Sequence, residues 1–240
     1  MHTARRYVMA GLAVLAALIS VAPLRAEDKP SGMEKWEGEI GKFEAADKAT
    51  APVPGGVMFY GSSSARLWDL KTAFPRLQTV NRGFGGSDMT AAAYFYDRVV
   101  PQHKPQIVVL YEGDNDIAGG RKADQVLADF EGLVTKHRAA LPEARLICLT
   151  IKYSPSRAKF RPIQEEANAL LKARCAKDPH LTFVDLASTL LDDRGQPQPK
   201  YFREDMLHLN PEGYAVWNTK LSPVIEGALT GPVTTEPAKP

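Results

Sequence analysis

Ile107-Val108-Val109-Leu110-Tyr111-Glu112-Gly113-Asp114-Asn115-Asp116 runs from an unbroken apolar stretch into acids, glycine and an amide. An apolar run without alternation reads as a strand covered on both faces, the environment of a parallel sheet flanked by helices. Similar short runs lie on either side of it, at residues 57–60, 77–81, 146–151 and 181–186. Helical spacing fills the gaps near 89–100, 123–140 and 161–177. Met33, Trp36, Ile40 and Phe43 recur at three and four residues, which predicts an opening amphipathic helix. A last helix should begin at Asn210-Pro211, an N-cap followed by proline, with Trp217, Leu221, Val224 and Ile225 on its inner face and Pro223 as a kink. Alternating strands and helices predict an α/β fold with a parallel sheet and right-handed crossovers. Such sheets bind ligands at the carboxyl ends of their strands, so chemistry is to be sought there.

The ends of the chain read differently. Arg5 and Arg6 precede an apolar, Ala- and Leu-rich stretch that meets no further charge until Arg25. This is the pattern of an export signal over residues 1–26, cut after Ala26 or, on a better small-residue match, after Ala22; an uncleaved anchor is the rival reading. Loss of Arg5, Arg6 and Arg25 takes the formal net charge from +2 to −1. The expected location is the periplasm or the exterior, with no stable membrane insertion after cleavage. A single domain should span residues 27–229, with a loose tail at 230–240. A body of roughly 200 residues is large enough to bury most of its unfolded surface without metals or bridges.

Composition narrows the function. Thirty basic against twenty-eight acidic residues leave no field for nucleic acid. Two cysteines and five scattered histidines build no zinc site, and no metal or cofactor is expected. Cys148 in the fourth strand and Cys175 late in a helix are either bridged or two separate buried thiols.

The strand ends carry small, polar and glycine-rich blocks. After the first strand comes Gly61-Ser62-Ser63-Ser64, and after the second Asn81-Arg82-Gly83-Phe84-Gly85-Gly86. The second block lacks the third glycine and acidic partner of a dinucleotide loop and the Gly-Lys-Ser/Thr ending of a P-loop. Gly113-Asp114-Asn115-Asp116 follows the third strand and lacks the later carboxylates of a calcium loop. Asp205-Met206-Leu207-His208 lies just before the last helix, where a carboxylate three residues upstream can fold back on the imidazole. The other histidines, His103, His137 and His180, read as solvated side chains.

These four blocks, in this order, resemble the SGNH hydrolases, also called GDSL-type esterases and lipases. The resemblance implies a flavodoxin-like three-layer α/β/α fold with a five-stranded parallel sheet in the order 2-1-3-4-5. It implies Ser63 as nucleophile, His208 as base and Asp205 as its partner. It implies an oxyanion hole made by the N–H groups of Ser63 and Gly86 and the side chain of Asn115. Ser62 stands where the family commonly has Asp, and Ala65 where a branched apolar residue is usual. An α/β-hydrolase elbow is set aside, because it ends in glycine and places its acid far upstream of the histidine. The implied activity is serine esterase action through an acyl-enzyme on a small-molecule or glycan ester. A carbohydrate O-deacetylase and a non-catalytic glycan-binding module are the alternatives. The loop after the fourth strand holds four cations and no anion, Lys152, Arg157, Lys159 and Arg161, so it either attracts anionic esters or points its charges into water.

Overall fold

The computed structural model describes residues 30–231. The expected export signal and all of the expected tail beyond Gly231 lie outside the described residues. In chain order the elements are α1 Glu34–Ala49, β1 Val57–Gly61, α2 Ser63–Arg66, α3 Leu70–Ala73, β2 Thr79–Gly83, α4 Met89–Val99 and β3 Ile107–Tyr111. They continue with α5 Asp114–Ala118, α6 Ala123–Ala140, β4 Arg145–Leu149, α7 Arg161–Cys175, β5 Leu181–Val184 and α8 Pro211–Thr230. The five strands form one parallel sheet in the order β2-β1-β3-β4-β5.

Every residue of β3 is buried. Val108 and Leu110 enter a core shared with α1, α4, α6 and α7. Ile107, Val109 and Tyr111 enter a second core shared with α3 and α8. The pleat thus splits one apolar run between two hydrophobic layers, which is why it shows no polar face. Trp36 and Ile40 seat α1 on the first layer, and Trp217, Leu221 and Ile225 seat α8 on the second. Helix α8 runs through Pro223 without ending there.

The register aligns the carboxyl ends of three strands, pairing Gly61 with both Gly83 and Tyr111. Gly61 has φ +116°, and a Cβ there would fall 2.1 Å from Tyr111 O. Only glycine lets β1 end this close to β3 and turn sharply into α2. Cys148 and Cys175 are both buried and unbridged, and Cys148 Sγ lies 3.9 Å from Leu149 O.

Candidate active site

Helix α2 begins where β1 ends. Ser62 is extended at its N-cap, and Ser63 is the first helical residue. Ser62 and Ser64 are buried, whereas Ser63 is half-buried at the strand ends. From the far end of the chain, an antiparallel bridge between Phe202 and Leu209 and a bond from Arg203 N to His208 O fold residues 203–208 into a tight loop. Met206 in that loop has φ +52°, a left-handed conformation costly for a side-chain-bearing residue. Its N–H donates to Arg203 O, and its carbonyl accepts from Ser156 N, which hold the turn.

Ser63, His208 and Asp205 form one hydrogen-bonded chain. His208 Nε2 lies 2.9 Å from Ser63 Oγ, and His208 Nδ1 lies 2.6 Å from Asp205 Oδ2. A carboxylate can only accept, so Nδ1 carries a proton toward Asp205 and Nε2 faces the serine hydroxyl as an acceptor. Asp205 Oδ1 accepts from the N–H groups of Leu207 and His208, both at 2.9 Å. Partial desolvation would raise the Asp205 carboxyl, but these bonds and the imidazole outweigh it and hold it down at about 2.

Gly86 is exposed, with φ +72°, beyond the end of β2. The N–H groups of Ser63 and Gly86 are not spent in the backbone hydrogen-bond network of the described residues. Asn115 comes from α5. Its Nδ2 donates to Ser87 O at 2.8 Å, beside Gly86, and its Oδ1 accepts from Arg157 Nη2 at 2.9 Å. Each sequence-predicted site residue therefore stands at the carboxyl edge of the sheet or in the loop packed over it.

Beneath the site lies a polar layer that sequence reasoning missed. Asp114 is buried between Lys152 Nζ at 2.6 Å and Arg157 Nη1 at 2.7 Å. Burial pushes its carboxyl up, but those two charges prevail and keep it below the ordinary range. Tyr111 Oη and Gln164 Nε2 complete the cluster. Ser87 Oγ sits 3.0 Å from Phe84 O and 2.5 Å from Glu112 Oε1. One hydroxyl proton cannot serve both acceptors, so a protonated Glu112 completes the pair, and burial does push that carboxyl well above its ordinary range.

Two of the four cations of that loop therefore face inward, which neither reading of the sequence anticipates. Lys152 and Arg157 are turned inward onto Asp114, and Arg161 pairs with Glu165 and stacks on Tyr153. Lys159 lies over the ring of Phe160. The expectation of solvated histidines is corrected for two of the three, His180 being half-buried. His103 is buried against Asp47 and Arg82. His137 is buried between Tyr96 Oη and Ala144 O, and burial pushes it down to about 4, which keeps it neutral.

No group of acidic, histidine or cysteine residues among those described is arranged to hold a metal ion, and no described helix is long and apolar enough to cross a membrane. No curated protein matches the sequence. Solved structures do match the fold. A Streptococcus pneumonia protein, provisionally named as a platelet activating factor, shares 20% identity over 80% of this chain and 94% of its own, with a TM-score of 0.72. A GDSL-like lipase from Bacteroides thetaiotaomicron shares 20% identity over 82% and 98%, with a TM-score of 0.63. A mutant of an acetyl-xylooligosaccharide esterase from Geobacillus stearmophilus shares 16% over 72% and 95%, with a TM-score of 0.58. The model of the GDSL-like lipase/acylhydrolase family matches residues 54–216, from just before β1 to within α8 and across every strand, and the chain belongs to that family.

Proposed function

We propose that this protein is a serine esterase that cleaves carboxylic esters through an acyl-enzyme, with Ser63 as nucleophile, His208 as general base and Asp205 as the group that orients it. The observation that supports the reading is the continuous chain from Ser63 Oγ through the imidazole to Asp205 Oδ2, at 2.9 and 2.6 Å. His208 takes the hydroxyl proton as Ser63 attacks the ester carbonyl, then returns it to the leaving alcohol. Water repeats the sequence to free the acid. The negative oxygen of each tetrahedral intermediate is met by the N–H groups of Ser63 and Gly86 and by the Asn115 amide. Asp205 stabilises the imidazolium and keeps its proton on Nδ1.

A carbohydrate O-deacetylase is the second reading within the same chemistry. It is favoured by the fold's likeness to an acetyl-xylooligosaccharide esterase and to a carbohydrate esterase of family 3 from Talaromyces cellulolyticus. A non-catalytic glycan-binding module would have no use for the connected serine, imidazole and carboxylate. We assign the export signal to residues 1–26 and the esterase domain to 27–229, which sends the mature protein to the periplasm or beyond. Purified protein should release acetate and short acyl groups from a panel of aryl esters and acetylated oligosaccharides, and Ser63→Ala should not. Equal hydrolysis by Ser63→Ala would reject the mechanism. Activity on aryl esters alone would reject the deacetylase reading.

A further inference from the structure

Asn115 can bind an oxyanion only if its carboxamide presents nitrogen, not oxygen, to the ligand, and the neighbours on either side determine which it presents. Ser87 O can only accept, so it faces Nδ2, at 2.8 Å. A guanidinium can only donate, so Arg157 Nη2 faces Oδ1, at 2.9 Å. With both partners limited to one role, a flipped amide would set oxygen against oxygen and N–H against N–H. One N–H of the amide remains, and it is the free donor.

Arg157 is itself fixed. Its Nη1 reaches both the carboxylate and the backbone carbonyl of Asp114, one residue before Asn115. Lys152 occupies the other carboxylate oxygen. The guanidinium thus spans Asp114 and Asn115 with two nitrogens of one rigid plane, a geometry that a single ammonium cannot reproduce.

We infer that Arg157 is a positioning residue for the proposed reaction, locking the Asn115 carboxamide so that its free N–H is aimed at the developing oxyanion. The inference rests on the serine-esterase reading of Asn115. The guanidinium on Oδ1 also draws electron density from the amide and strengthens its remaining N–H as a donor. Donors held in place before the charge develops need no reorganisation in the transition state. Sequence reading singled out the loop that carries Arg157 for its charge. The structure assigns that charge to the interior of the site.

The test is a double-mutant cycle on the full-length protein, read as kcat and KM with one aryl ester, alongside thermal unfolding. Arg157→Lys keeps a cation for Asp114 and loses the planar fork. It should lower kcat by about tenfold, the typical cost of one misplaced hydrogen bond, with KM and melting temperature nearly unchanged. In the Asn115→Ala background the same change should cost less than about twofold, because the group it positions is gone. Equal losses in both backgrounds would overturn the positioning role, as would a rise in KM at constant kcat or wild-type activity in Arg157→Lys. A lowered melting temperature with kcat unchanged would make the contact structural and also overturn it. If Asn115→Ala itself leaves kcat intact, the oxyanion reading fails and takes the inference with it, a result distinct from additivity.

Discussion

A serine hydroxyl attacks an ester only if its proton has somewhere to go, and 2.9 Å from Ser63 Oγ stands an imidazole nitrogen. Ser63→Ala and His208→Ala should each lower kcat/KM by roughly 10⁴-fold or more, and the double variant should be little worse than either, since the members act as one unit. Steady-state rates on an aryl ester check this. Ser62→Ala and Ser64→Ala should keep most activity, because both residues are buried and neither hydroxyl bonds to the imidazole. Asn115→Ala should lower kcat by about 100- to 1,000-fold with little change in KM, the behaviour of a donor used chiefly in the transition state. Loss of melting temperature without loss of rate would instead make Asn115 a loop cap. The candidate residues Ser63, Asp205, His208, Gly86 and Asn115 can be named from the sequence, because each sits in a short local block. The role proposed for Arg157 cannot, because it arises only through Asp114 and Asn115, more than forty positions earlier in the chain. The burial of His103 and His137 escapes local pattern for the same reason: their partners are Asp47 of α1, Tyr96 of α4 and Ala144 just before β4.

Elements matter here as braces. Tyr214 of α8 donates its hydroxyl to Ser64 O at 2.9 Å, and Trp68 Nε1 donates to Asn218 Oδ1 of the same helix at 2.8 Å. The last helix thus holds the turn that presents Ser63. Tyr214→Phe leaves the buried Ser64 carbonyl unpaired and should cost about 1–2 kcal/mol in urea unfolding. No change in midpoint would show the bond to be dispensable. On the other side of the site, Asp116 Oδ1 accepts from Met89 N at 3.0 Å and fastens the start of α4. Burial raises the Asp116 carboxyl from 3.8 to about 6. Below pH 4 both folded and unfolded states hold the proton, and the group costs nothing. Between pH 4 and 6 the unfolded chain ionises first, so stability falls, and above 6 the penalty is constant. Asp116→Asn should therefore gain about 2–3 kcal/mol on wild type between pH 4 and pH 7. A difference independent of pH would contradict the shift. All five strands and the long helices were readable from apolar runs and period, with boundaries within two or three residues. Helices α2, α3 and α5 were not, because four or five residues are too few to show a period.

For the whole molecule, the sheet converts distance in sequence into proximity. Ser63 and His208 lie 145 positions apart and meet because β1 is an inner strand and α8 returns across the face of the sheet. The two thiols show the same effect: the sequence allows Cys148 and Cys175 to be bridged or separate, and the fold brings them together in the core unbridged. Helix α1 lies ahead of the family-matching segment and still touches the site, with Trp36 Nε1 donating to Gly85 O at 3.0 Å and Glu39 facing Gly85 N. The proposed esterase chemistry depends on Ser63 acting as a nucleophile activated by His208. Incubation with a serine-directed organophosphate, followed by peptide mass spectrometry, tests it most directly. One adduct per chain is expected, on Ser63, absent from Ser63→Ala and strongly slowed in His208→Ala. An adduct on Ser62 or Ser64, or no adduct on protein that still hydrolyses esters, would contradict it.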